Sequence, residues 1–238
     1  DWVYNRDKRP DCAHFFPGTR RLFEHMTDQL LQILIVFGAA YLIGSLPIAY
    51  FVAGLPHVDI FEVGSGNMGA TNVVRVMGIG WGIAVWLLDS AKAVVAILLA
   101  TQVIYPQNPT VATVVAALGA IVGHNWSLIV AAITGRMRGG KGAATAFGTL
   151  IMIVPLQVIA GMLLVGGIVL AATRYVSLTV LVMFPLATIW MFILAVQGKT
   201  PELFAIYCVL MVIMILIRFR PNIERLAAGT ERRLGESR

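Results

Sequence analysis

Charge is scarce in this sequence. Only 13% of its 238 residues are Asp, Glu, Lys or Arg, about half of what a soluble domain of this length needs to wet its surface. A soluble globular fold is therefore excluded, and high hydrophobicity excludes intrinsic disorder. Cysteine is scarcer still. Cys12 lies in a polar segment and Cys208 in an apolar run, so no disulfide is expected between them. The 23 glycines follow no triplet period, which removes a collagen-like chain. No cluster of His, Cys and Asp has the spacing of metal ligands, so neither a metal nor any other cofactor is expected. A Gly-x-Ser-x-Gly elbow is also missing, and with it the usual sign of covalent catalysis.

Apolar side chains are abundant: 58% of the chain, with a mean hydropathy of +0.83. At about 20 residues per span this supplies material for about seven crossings. Residues 1–28 are polar and read as an irregular N-terminal extension, with five basic and five acidic residues and no signal-peptide pattern. Apolar runs then occupy residues 29–54, broken at Gly44-Ser45-Leu46-Pro47, and residues 81–105, 110–133, 143–173, 177–196 and 201–217. The 31-residue run at 143–173 is too long for one span, and Pro155 divides it into a short helix and a returning one. Gly119 and Gly123 have the four-residue spacing that lets helices approach closely. The expected architecture is an all-α integral membrane protein of about seven helices, one of them short. Its membrane domain spans residues 29–217, and a basic tail, 218–238, completes the polar face.

Sidedness follows from the cations. With the N-terminus outside, eleven Lys and Arg fall on the inner side (Arg75, Arg136, Arg138, Lys141, Arg174 and six in the tail), against Lys199 alone in the outer loops; the five cations of residues 1–28 run against this bias, but five acidic residues accompany them. That asymmetry fits the positive-inside rule and puts the C-terminus in the cytoplasm. The +6 net charge is thus no diffuse basic surface for nucleic acid.

On this topology three polar segments meet at the cytoplasmic ends of spans. The first, residues 64–75, carries Gly64, Gly66 and Gly69 in G-x-G-x-x-G spacing. Membrane spans flank it where a dinucleotide fold needs a βαβ unit. Small residues there let backbone N–H groups curve round an anion. Ser65, Asn67, Thr71 and Asn72 add neutral donors, and Arg75 adds a fork for phosphate oxygens. A glycine-rich turn packed for its own sake stays open as an alternative. In the second segment, residues 135–145, Gly135 and Gly140-Lys141 mimic a P-loop, but Gly142 stands where Ser or Thr would hold magnesium. What remains is Lys141 among Gly139, Gly140 and Gly142 at a helix start, a phosphate seat by charge and dipole, or merely a topology signal. The third segment begins at Arg218 and includes Asn222 and Glu231. Asp89 and Lys92 share a helix face within a span, either as a neutralising pair or with Asp89 orienting a cation of the site. His124 lies at a polar break, as a packed residue or a proton acceptor.

Taken in order, these segments resemble the small bacterial membrane acyltransferases that use acyl-phosphate as donor and glycerol 3-phosphate as acceptor, the PlsY family. Residues 64–75 are similar to its first motif. Leu88-Asp89 with Lys92 resembles its Leu-Asp-x-x-Lys element, and Gly123-His124 with Gly139-Gly140-Lys141-Gly142 and Ala144-Thr145 its second motif. Asn222-Ile223, Arg225-Leu226 and residues 229–231 are similar to the third. The resemblance implies an inner-membrane enzyme that acylates the 1-hydroxyl of glycerol 3-phosphate and releases phosphate. It implies Ser65, Arg75, Lys141 and Asn222 as catalytic residues, and the chemistry leaves two candidates for the base, His124 or the phosphate itself. Gly64, Gly66, Asn67, Gly69, Thr71, Asn72, Gly139, Gly140, Gly142, Thr145, Arg218 and Glu231 would bind substrate, and Asp89 and Lys92 would orient. Three departures stand out: Phe219 occupies the position usually held by His, the gap between Gly-His and Gly-Gly-Lys-Gly is longer, and residues 1–28 are extra. A transporter of a phosphorylated small molecule and a catalytically silent relative remain as alternatives, although no internal repeat supports the first.

Overall fold

The computed structural model describes residues 17–55 and 57–236. Among these residues every regular element is helical. In chain order they are α1 (Pro17–Gly44), α2 (Ile48–Gly54), α3 (Ala70–Met77), α4 (Ile79–Leu99, extended by a π-helical turn Ala100–Ile104), α5 (Pro109–Asn125), α6 (Leu128–Thr134), α7 (Ala143–Ile153), α8 (Leu156–Thr173), α9 (Val176–Val196) and α10 (Glu202–Ala227). Five stretches are long and apolar enough to cross a membrane: Met26–Gly54, Ile79–Ile104, Leu156–Thr173, Val176–Val196 and Glu202–Ala227. α5 and α7 are shorter apolar helices. Leu30, Leu34, Leu87, Leu164, Phe192 and Ile213 point outward, as expected where hydrocarbon is the solvent.

Glycine sets the closest helix contacts. A Cβ on Gly119 would lie 2.8 Å from the Phe37 carbonyl oxygen, and one on Gly123 would collide with that of Tyr41. α5 therefore lies directly on α1, as the four-residue spacing predicts. Gly148 plays the same part where α7 meets Ser90 of α4. α9 packs between α8 and α10. In the core Thr149 of α7 is hydrogen-bonded to Tyr207 of α10, so a buried hydroxyl pair ties two helices together.

Several expected boundaries move. α1 starts at Pro17, a position where proline costs a helix nothing, so residues 17–28 are helical, and of the expected extension residues 1–16 lie outside the described residues. The break at 44–47 and the division of 143–173 at Pro155 stand as read. The run at 110–133 is not one helix. It ends at Asn125 because the His124 carbonyl accepts from Gly140 N at 3.0 Å and Ser127 Oγ caps α6 by accepting from Val130 N. α10 does not stop at Ile217 but continues through Pro221 to Ala227, because Arg218 and Asn222 on that extra length are held by the 139–141 loop. The 57–80 segment also contains a helix, α3, whose polar and apolar residues divide cleanly between its faces.

Candidate active site

Two connected chambers lie where α3, α7, α9 and α10 converge. The first, about 200 Å³, runs from Ser65, Thr71 and Arg75 down to Trp86 and Met183. The second, about 380 Å³, is lined by Gly64, Arg218, Arg225 and Arg232 among others. Ser65, Asn67, Arg75, Lys141 and Glu231 line both. A space with polar walls at one end and apolar walls at the other fits an amphiphile.

The polar residues around this space divide into those already bonded within the protein and those left available. Asn72 belongs to the first group. Its Oδ1 accepts from Ser65 N at 2.7 Å, and its Nδ2 donates to the Ile60 and Val63 carbonyls at 3.2 and 3.1 Å. Gly64 and Gly66, both at φ +64°, let the loop curl round that amide, and a Cβ on Gly64 would strike Asn72 Oδ1. The glycine spacing thus builds a turn clamped by Asn72, and the turn presents Ser65. Gly69 caps α3 in extended conformation.

Arg218 is likewise bonded. Its guanidinium donates to the Gly140 carbonyl at 2.7 and 3.1 Å and to Gly139 at 3.3 Å, above the Trp126 ring. Gly139 and Gly140 serve this contact and line neither chamber, whereas Gly142 lines the first. Thr145 is fully buried and lines neither. Among the described residues its hydroxyl, at the start of α7, has no hydrogen-bond partner. Glu231 accepts from Ser177 Oγ at 3.0 Å and Asn222 Nδ2 at 2.7 Å on one oxygen, and from Arg225 Nε at 2.7 Å on the other. Burial alone would raise this carboxyl, but hydrogen bonds from Asn222, Arg225 and Ser177 hold it below the ordinary glutamate value.

At the wall of the first chamber, which Asp89 and His124 line, Lys92 Nζ meets Asp89 at 2.7 Å, the Leu46 carbonyl at 2.9 Å and His124 Nδ1 at 3.0 Å, with all three side chains buried. Asp89 and Lys92 thus form an ion pair whose carboxylate also borders the first chamber. An ammonium only donates, so Nδ1 accepts and the neutral ring carries its proton on Nε2. That edge lies against Gly140, where a Cβ would collide with it.

The available group is smaller. Among the described residues the side chains of Ser65, Asn67, Thr71 and Arg75 make no hydrogen bond within the protein, yet all four line the first chamber. Lys141 Nζ donates to Asn222 Oδ1 at 2.5 Å and sits 5.2 Å from the centre of the Phe219 ring. Burial first, and then the charges of Arg225, Arg75 and Arg218 against Glu231, push its pKa down to about 8. Burial and Arg232 also lower Arg75. These cations are crowded by their own kind, which a bound anion would relieve.

Sequence reasoning left out Arg225, Arg232, Ser177, Trp86 and Met183. Arg225 lay within a segment similar to the family's third motif, and Ser177 opened an apolar run. Arg232, whose Nη1 reaches the Gly64 carbonyl at 3.3 Å, looked like any cation of a basic tail. Trp86 and Met183 were indistinguishable from lipid-facing residues.

A helical fold with several helices apolar enough to cross a membrane, and chambers with cations at one end and apolar walls at the other, defines an integral membrane protein with a site of amphiphilic character. The family model described as glycerol-3-phosphate acyltransferase matches residues 34–229, and the chain belongs to that family. It is 39% identical over 207 residues to the glycerol-3-phosphate acyltransferase of Halalkalibacterium halodurans, covering 86% of this chain and 96% of that protein. With the Geobacter sulfurreducens protein of the same name it shares 39% over 204 residues, covering 86% and 98%. Among solved structures it is similar to PlsY, an integral membrane glycerol 3-phosphate acyltransferase. The glycerol 3-phosphate form of PlsY gives a TM-score of 0.73 at 33% identity, covering 85% of this chain and 96% of that one. The lysophosphatidic acid form gives 0.72 at 32%, covering 85% and 95%.

Proposed function

We propose that this protein transfers an acyl chain from acyl-phosphate to the 1-hydroxyl of glycerol 3-phosphate, giving lysophosphatidic acid and inorganic phosphate, the first step of phospholipid synthesis. It would work as a seven-crossing enzyme of the bacterial inner membrane, N-terminus outside, with the chambers open to the cytoplasm. The observation that carries this reading is a pair of cations with no carboxylate partner among the described residues, Lys141 being bonded only to the neutral amide of Asn222. Arg75 and Lys141 stand at the junction of the two chambers, where two phosphates would have to meet.

The donor's tail lies in the apolar part of the first chamber and its phosphate against Arg75, Ser65 and Thr71. Glycerol 3-phosphate enters the second chamber, its phosphate met by Lys141 and Arg232. The 1-hydroxyl oxygen attacks the acyl carbonyl carbon, the bond from that carbon to the phosphate oxygen breaks, and the hydroxyl proton ends on the departing phosphate. No enzyme nucleophile is needed, because the donor is already activated. Positioning and charge stabilisation supply the rate. Phosphate is the better proton acceptor than His124, whose Nδ1 faces Lys92. Asn222 acts by fixing Lys141.

The test is purified protein with glycerol 3-phosphate and either palmitoyl-phosphate or palmitoyl-CoA. Lysophosphatidic acid should form from palmitoyl-phosphate only. Product from the thioester, or phosphate release that ignores glycerol 3-phosphate, overturns the donor assignment.

A further inference from the structure

The first chamber has an apolar floor that the reaction itself does not explain. Val176, Thr179, Val180 and Met183 line it from α9, at i, i+3, i+4 and i+7, which is one helix face. Met183 lies seven residues along α9 from Val176, about 10 Å deeper at 1.5 Å per residue. On the facing side Trp86 lies seven residues into α4 from Ile79, at a similar depth.

Neither wall has slack behind it. Trp86 packs against Phe147, with ring centres 4.9 Å apart and planes tilted by 39°. Behind Met183 stands Gly166 of α8, where a Cβ would lie 3.1 Å from Met183 Sδ and 3.4 Å from Thr179 Cγ2. Of the four α9 residues, three are short and β-branched. Met183 alone is long and unbranched, able to change rotamer yet held from the rear.

We propose that Met183, seated on Gly166, is the residue that sets acyl chain length. This rests on the acyl-transfer reading above. Chain length is decided here by fit. An acyl chain leaving the bilayer gains no hydrophobic free energy on entering an equally apolar cleft. A chain that reaches Met183 must displace it, and overpacking of that kind disfavours the longer chain by about 10-fold. Because the stop is a methionine, the preference is graded and has no sharp cut-off.

The experiment uses full-length protein in proteoliposomes, with glycerol 3-phosphate and an equimolar mixture of dodecanoyl-, palmitoyl- and stearoyl-phosphate. Lysophosphatidic acids are then weighed by mass spectrometry. Met183→Ala frees room for about three methylene-sized groups and should raise the stearoyl-to-dodecanoyl product ratio about 10-fold. Gly166→Ala, which drives Met183 inward, and Met183→Trp should lower it. Met183→Leu, shorter by one heavy atom, should fall between wild type and Met183→Ala, and serves if the alanine variant fails to fold. An unchanged ratio in these variants, with product still formed, overturns the gauge and leaves acyl transfer intact. If the wild-type protein acylates glycerol 3-phosphate with none of the three donors, the reading beneath the proposal falls with it.

Discussion

Lys141 carries its charge where burial and three arginines oppose it, and its pKa is pushed down to about 8. A lysine with a lowered pKa is charged below that value and loses its proton above it. On this account kcat/KM, which reports the free enzyme, falls as pH rises through about 8. The alkaline limb of kcat lies higher, because bound phosphate favours the ammonium. Initial rates between pH 6 and 10 check this, and a kcat/KM profile flat to pH 10 contradicts it. Glu231 has the opposite sign. Its carboxyl is held low by donors from Asn222, Arg225 and Ser177, so its contribution is complete above the ordinary glutamate value of about 4.3 and is lost as pH falls through the lowered one. Glu231→Gln should cost about 1–2 kcal/mol at neutral pH, given charged hydrogen bonds discounted for the exposure of Arg225. Unfolding in detergent at pH 7 and pH 4 measures it, and the gap between variant and wild type should narrow in acid. The types of residue at the site were legible in the sequence. Which of them are free was not, because Lys141 meets Asn222 across 81 positions and Ser177 meets Glu231 across 54.

At the scale of helices, what could be read depended on whether a boundary is written locally. Pro155 lacks an N–H and ends α7 wherever it stands, so the short helix and its return were visible. Gly119 and Gly123 advertise a close contact by spacing alone, and α1 fills it. The end of α5 carries no such sign. His124-Asn125-Trp126 holds no helix breaker, and the helix stops there because the His124 carbonyl turns to Gly140. α10 shows the converse, since charged residues and Pro221 suggest a tail while bonds to the 139–141 loop keep the helix going. The α1–α5 seam gives a prediction at this scale. Gly123→Val places a side chain against the Tyr41 and Ser45 backbone, which cannot withdraw as a flexible side chain would, and should destabilise by about 3 kcal/mol. Thermal unfolding in detergent reads it, and a variant with the wild-type midpoint removes the seam from the account.

Across the whole molecule, the same cations serve two ends. Eleven Lys and Arg were assigned to one side by charge bias alone, and five of them, Arg75, Lys141, Arg218, Arg225 and Arg232, line one chamber. The proposed sidedness is tested by labelling. In a Cys12→Ser background, where the remaining Cys208 is buried, a membrane-impermeant maleimide should modify Lys199→Cys in intact cells and Arg136→Cys only after lysis. The reverse pattern would invert the topology. The central claim is that the charges of Arg75 and Lys141, which no carboxylate pairs among the described residues, hold the two phosphates. Its most direct measurement is lysophosphatidic acid formed from palmitoyl-phosphate and glycerol 3-phosphate by purified wild type, Arg75→Ala and Lys141→Ala, each first shown to be folded. The account predicts that each substitution lowers kcat/KM by about 100-fold or more, the effect of removing one charge-stabilising donor from a preorganised site. Wild-type turnover by either folded variant would contradict it.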